Sequence, residues 1–144
     1  MNLKMLKRSS LALAKATEYI GKLMTAKFPY YNNQENRIKF KKRPILIIGV
    51  EKKQFPCDVT VLPVSKVSHK RHIHPEFDVE VSGNKCKQLK LHHSPSYIRT
   101  HKIATVHSSD IGHTIISDMR TIDKELFDHI KASHHKFVKN ILFQ

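Results

Sequence analysis

The sequence predicts a mainly β fold with helices (α+β): a small, curved, mostly antiparallel sheet or barrel with a C-terminal helix and an N-terminal helical extension. Two observations predict it. Between residues 22 and 106 the apolar residues fall in short, β-branched runs bounded by Gly, Pro or charged turns, which is how strands read. From Asp123 onward the apolar spacing changes to three, four and seven, the spacing of one helix face. A chain of 144 residues is the size of one domain. About five strands and a terminal helix fill it without a linker or an internal repeat.

Taken in order, residues 3–17 carry Leu3, Leu6, Leu11, Leu13, Ala14 and Ala16 among lysine and serine, a short basic helix of imperfect amphipathicity. The basic start before Leu11–Ala14 is too brief an apolar stretch for a signal peptide, and Lys15 interrupts it. Gly21 punctuates, Lys22–Phe28 alternates as a strand, and Pro29 ends it. The polar stretch Tyr31–Lys42 is expected as an exposed loop carrying Arg37, Lys39, Lys41 and Lys42.

Arg43-Pro44 opens the run Ile45–Ile48, stopped by Gly49. Being short, β-branched and flanked by breakers, it predicts a buried strand over 44–49. Asp58–Val64 predicts a second one, and residues 66–75, rich in His and Lys, predict a loop. Phe77, Val79 and Val81 alternate with Asp78 and Glu80, a half-buried strand with one wet face, ended by Ser82-Gly83-Asn84. Residues 96–106 are expected as one further strand, with Arg99 and Lys102 among Tyr97, Ile98, Ile103 and Val106. The closing helix, 123–142, gathers Leu126, Phe127, Ile130, Phe137, Val138, Ile141 and Leu142. Asp123 is its N-cap, with Glu125 and Asp128 near the positive end of the helix dipole.

Charge narrows the partners. Twenty-six Lys and Arg against twelve Asp and Glu give +14, a self-repulsion that an anionic partner offsets. Nucleic acid is the commonest such partner, because neutralised phosphates release counterions. An acidic protein answers the same charge. No apolar run reaches the roughly 18 residues of a membrane helix, so the cytoplasm is the expected location. Cys57 and Cys86 are too few for a disulfide framework and form no C-x-x-C pair, so both are read as reduced thiols. His69, His72 and His74 share one loop and His134-His135 lie on the last helix, but no fourth ligand accompanies them, and no metal or cofactor is expected.

Three segments place polar groups at the edge of a buried strand. In Lys41-Lys42-Arg43-Pro44 the proline restricts its neighbour, so Arg43 emerges at a fixed place beside the core. Ser65 is the first polar side chain after Val61-Leu62-Pro63-Val64. Arg99 and His101 are two apart, so on one strand both project to the same face. Two guanidiniums can hold a phosphate and its developing charge, and an imidazole can move protons near neutral pH. That set suits cleavage of RNA, whose 2′-hydroxyl is an internal nucleophile.

These motifs, in this order, resemble the MazF/PemK/Kid toxin family: Arg43-Pro44, four apolar residues and Gly49; Val61-Leu62-Pro63-Val64-Ser65; the strand around Ile98-Arg99; then a closing helix. Gly21 to Pro29 resembles the family's opening strand with its Phe-Pro end. The resemblance covers about residues 20–143, so it implies that 1–19 are an N-terminal helical extension and 20–144 the domain. It implies an SH3-like β-barrel, usually a homodimer, and an RNase that cuts single-stranded RNA at short sequences. It also implies an acidic, partly disordered antitoxin.

By position, Arg43 matches the arginine of the Arg-Pro motif and Ser65 the Thr or Ser after the Val-x-Pro strand. Arg99 matches the arginine proposed in some members as catalytic acid or phosphate clamp. His101 stands where those members carry an Asp proposed as base, and the Gly-rich first loop is replaced by Asn32–Lys42. Lys41, Lys42, Lys66, Lys70, Arg71 and Lys102 are the expected RNA contacts. Two other readings of the same residues stay open: a nucleic-acid-binding module without catalysis, and a basic interaction protein that binds an acidic partner.

Overall fold

The structure, a computed structural model, describes residues 15–144. The expected helix over 3–17 therefore lies outside the described residues except at its end, where Ala16–Tyr19 form a single 3-10 turn. That turn is packed down: Ala16 is buried, its N–H donates to Lys53 O (2.8 Å), and Tyr19 meets the edge of Phe55.

Seven strands follow: β1 (Lys22–Asn32), β2 (Arg37–Val50), β3 (Asp58–Ser65), β4 (Asp78–Val81), β5 (Ser96–Arg99), β6 (Ala104–His107) and β7 (Ser117–Asp118). Three helices join them: α1 (Asn84–Gln88), α2 (Met119–Ile122) and α3 (Lys124–Leu142). Every strand pair is antiparallel, in the order β4-β5-β3-β2-β1-β7, with β6 also against β3. The sheet curls into a half-barrel, and the long C-terminal helix packs on it, so the mainly β, α+β architecture expected from the sequence is the one observed.

The apolar runs are continuous because both sheet faces are covered. Neighbours along a strand point to opposite faces, so Leu46 and Leu62 join one core with Phe127 and Ile130 of α3. Ile45, Ile47 and Val61 join a second core inside the curl with Met24, Val106 and Ile111. Gly21 lets α2 come close: its φ is +93° and a Cβ there would lie 2.6 Å from Arg120 Cβ. Asp123 caps α3 as expected, accepting from Leu126 N–H at 3.0 Å.

The structure corrects two expectations. The stretch 31–42 is not a loop. β1 and β2 continue as a two-stranded ribbon, pairing Phe28 with Lys41, Tyr30 with Lys39 and Asn32 with Arg37. The turn is short, and Asn32 Oδ1 accepts from Gln34 N–H and Glu35 N–H. The ribbon buries little: Tyr31, Ile38 and Phe40 are 57 %, 64 % and 68 % exposed. Its backbone pairing therefore leaves no in-out alternation for the sequence to display. Residues 96–106 are also not one strand. β3 has two partners on its far side, β5 at Val64 and Ser65 and β6 from Asp58 to Val61. Between them the chain turns at Thr100, whose N–H and hydroxyl both donate to Phe77 O.

Candidate functional site

The β2–β3 register places the first two site residues. Ile45 pairs with Pro63, and continuing that register outward sets Arg43 opposite Ser65. Arg43 Nη1 donates to Ser65 Oγ at 3.3 Å, and the guanidinium lies 5.4 Å from the centre of the Phe28 ring. Among the described residues no carboxylate pairs with Arg43. Burial, and then the positive charge of Arg99, pull its pKa below the ordinary arginine value.

Arg99 ends β5 directly opposite Asp78 of β4. Its Nε donates to Asp78 Oδ1 (3.1 Å), and its Nη2 to Asp78 Oδ2 (3.2 Å) and to the His72 carbonyl (2.8 Å). The Asp78 side chain is wholly buried and accepts a further bond from His74 N–H at 2.8 Å. Thus one of the two guanidiniums has a carboxylate partner and the other has none.

Arg43, Ser65 and Arg99 line one open cavity of about 760 Å³. Lys41, Lys42 and Lys66 line it too, as do His69, His72, His92 and His93. Lys70 and Arg71, in the 3-10 turn Lys70–His72, and Lys102, in the turn after β5, are exposed and lie outside its lining.

His101 is not brought to the cavity either. β5 stops at Arg99, so the two residues do not share a strand face. The turn at Thr100 sends the His101 ring toward α3, where it packs near His74 (4.9 Å between ring centres), Phe77 and Phe137. Its Nδ1 is buried without a hydrogen-bond partner, 3.6 Å from Asp78 Oδ1. Burial holds its pKa below the ordinary histidine value. The Asp78 charge opposes that shift, and Arg99, His74 and Lys102 reinforce it.

Sequence reasoning missed Asp78, which it placed on the wet face of its strand. An acid alternating with valines reads as solvated unless its cross-strand partner is known, and the 78–99 register is not local information. It also missed the cavity role of His92 and His93, which reach the cavity from the segment leading into β5. Their signal was composition alone.

Arg43 and Arg99 thus line one cavity with the Ser65 hydroxyl and three lysines, groups whose chemistry suits an anion such as a phosphodiester. Among the described residues no group of three or more His, Cys, Asp or Glu comes together as metal ligands would, and no helix is long and apolar enough to cross a membrane. No curated protein matches the chain. Residues 19–138 match a family model, that of the PemK-like, MazF-like toxins of type II toxin-antitoxin systems. The match runs from the turn before β1 into α3 and takes in every strand that builds the cavity. The chain belongs to this toxin family, whose members act opposite an antitoxin partner.

Proposed function

We propose that the protein is a metal-independent endoribonuclease that cuts single-stranded RNA at short sequences, acting as the toxin of its pair. The observation that carries this reading is the convergence of Arg43 and Arg99 beside Ser65 in one lysine-rimmed cavity. Arg43 and the unpaired end of Arg99 hold the scissile phosphate and the charge that grows on it. The Ser65 hydroxyl, which already takes a bond from Arg43, orients the phosphate or its nucleotide. The 2′-hydroxyl attacks phosphorus, the bond to the 5′-oxygen breaks, and one proton moves off the first oxygen while another moves onto the second.

His101 was the sequence's candidate for that transfer. Since its ring packs by Phe77 and Phe137 and not at the cavity, the histidines that line the cavity, His69, His72, His92 and His93, take its place as candidates for that transfer. Lys41, Lys42 and Lys66 bind the RNA backbone at the cavity, and Lys70, Arg71 and Lys102 add positive charge around it. The antitoxin is acidic and covers the same basic surface, the active form is a homodimer, and the toxin works in the cytoplasm.

The test is incubation of purified protein with mixed-sequence single-stranded RNA in EDTA. Discrete cleavage supports the nuclease. The position of His101 away from the cavity favours a second reading, a nucleic-acid-binding module without catalysis, and binding without cleavage would establish it. Neither binding nor cleavage would leave a basic interaction protein.

A further inference from the structure

We infer that Asp78 is a positioning residue: it clamps one edge of Arg99 so that the remaining Nη1 group is presented to an anion in the cavity. The inference rests on the cavity being an anion site, as in the proposed function, and not on RNA being cleaved there.

An arginine has five N–H donors in a rigid, planar fork. Three of Arg99's are committed: Nε to Asp78 Oδ1, and Nη2 to Asp78 Oδ2 and to His72 O. Nη1 makes no bond among the described residues, and Arg99 lines the cavity. Bonds at Nε and Nη2 define the plane of the guanidinium, so its one free corner has a fixed place. A surface arginine without such a clamp samples many rotamers and must lose them on binding.

The clamp is itself fixed. Asp78 is wholly buried, its Oδ2 also accepts His74 N–H, and its strand is paired with β5 at Arg99. A buried carboxylate serves stability poorly unless its partner needs it, because desolvation takes back much of the attraction. Here the pair also solves a second problem. Arg43 and Arg99 face the same cavity, and two unneutralised guanidiniums would repel each other there. Asp78 neutralises the one behind and leaves the pair attractive to a phosphate.

The test uses the full chain labelled with ¹⁵N and reads the arginine Nε–H resonances, with inorganic phosphate as the probe. Wild-type protein should give one slowly exchanging Nε–H that disappears in Arg99→Lys. In Asp78→Asn that proton should exchange freely, and phosphate affinity should drop about tenfold or more, as expected when a binding group loses its fixed geometry. If wild type cleaves RNA, kcat in Asp78→Asn should fall about tenfold to a hundredfold with KM little changed. Glu80→Gln, on the exposed part of the same strand, should change none of these readings.

A protected Arg99 Nε–H and unaltered phosphate binding in Asp78→Asn would overturn the inference. Should that variant not fold, wild type decides: a freely exchanging Arg99 Nε–H would overturn it and a protected one would support it. Absence of cleavage by wild type, with the Nε–H and phosphate results as expected, would count against the nuclease and not against the clamp.

Discussion

Arg43 and Ser65 face each other across β2 and β3, joined by a 3.3 Å bond from guanidinium to hydroxyl, and no carboxylate among the described residues shares that guanidinium. Arg43 is thus a cation held in place by a neutral partner. Arg43→Ala should abolish RNA cleavage, by about a hundredfold or more, since it strips charge stabilisation from the transition state. Ser65→Ala should cost less, about tenfold, because it removes one hydrogen bond to a charged group. Neither should lower the melting temperature by more than a few degrees, as both side chains sit at the rim of the cavity and not in either core. Cleavage by Arg43→Ala at the wild-type rate would remove Arg43 from the site.

His101 gives a pH dependence of stability. Its folded pKa is depressed, chiefly by burial, below the 6.5 of the unfolded chain. Between those two values the unfolded state binds the extra proton, so stability rises with pH there. The contribution is complete above about 6.5 and is lost as the pH falls from there toward the folded value. Four groups surround the ring: Asp78 favours the protonated form, while Arg99, His74 and Lys102 oppose it. Replacement by Phe keeps the contacts with Phe77 and Phe137 and removes the titration. Urea melts of His101→Phe between about pH 5 and 7 should be flatter than those of wild type. Equal slopes would show that His101 protonates without cost. Normal cleavage by His101→Phe at pH 7 would remove His101 from proton transfer.

The fold was legible wherever burial imposed a period. Ile45–Ile48 and Asp58–Val64 read as strands because both of their faces are covered, and Leu126, Phe127 and Ile130 read as a helix face because one side packs on the sheet. The ribbon at 27–42 was illegible because its pairing is a backbone matter and its side chains stay in solvent. The break at Thr100 was illegible for another reason: it depends on β3 being shared by two partners, a long-range fact. The site followed the same rule. Arg43, Ser65 and Arg99 lie at the ends of apolar runs, which sequence can mark. Asp78 matters only through a residue 21 positions away, and the side on which His101 falls depends on one turn.

Asp123 joins two roles that a titration can separate from the site. It caps α3 through Leu126 N–H and pairs with Lys85 of α1 at 2.7 Å. The Lys85 bond first, and the Leu126 N–H second, hold its pKa below the usual 3.8. A depressed carboxylate contributes stability above its unfolded pKa and loses it as the pH falls toward the folded value. Asp123→Ala should therefore destabilise by about 1 kcal/mol at pH 7, the usual worth of a cap. The difference from wild type should shrink below about pH 3.8. A difference that persists unchanged at pH 2 would mean that packing, and not the ionised cap, is what the substitution disturbs.

The base of the ribbon sets two lysines beside Arg43. Lys41 and Lys42 occupy adjacent positions in β2, so their side chains leave opposite faces of the ribbon, yet both line the cavity. An RNA strand bound at Arg43 should therefore run along this stretch of β2, within reach of both ammonium groups. Binding should weaken steeply between about 50 and 200 mM salt. Lys41→Ala and Lys42→Ala should each lower the slope of log K against log salt by about one, the signature of one lost phosphate contact. Lys124→Ala should leave the slope unchanged, since that residue starts α3 and its ammonium faces Asp128 instead. Equal slopes in all three variants would place the RNA elsewhere on this surface, whatever the charge of the chain.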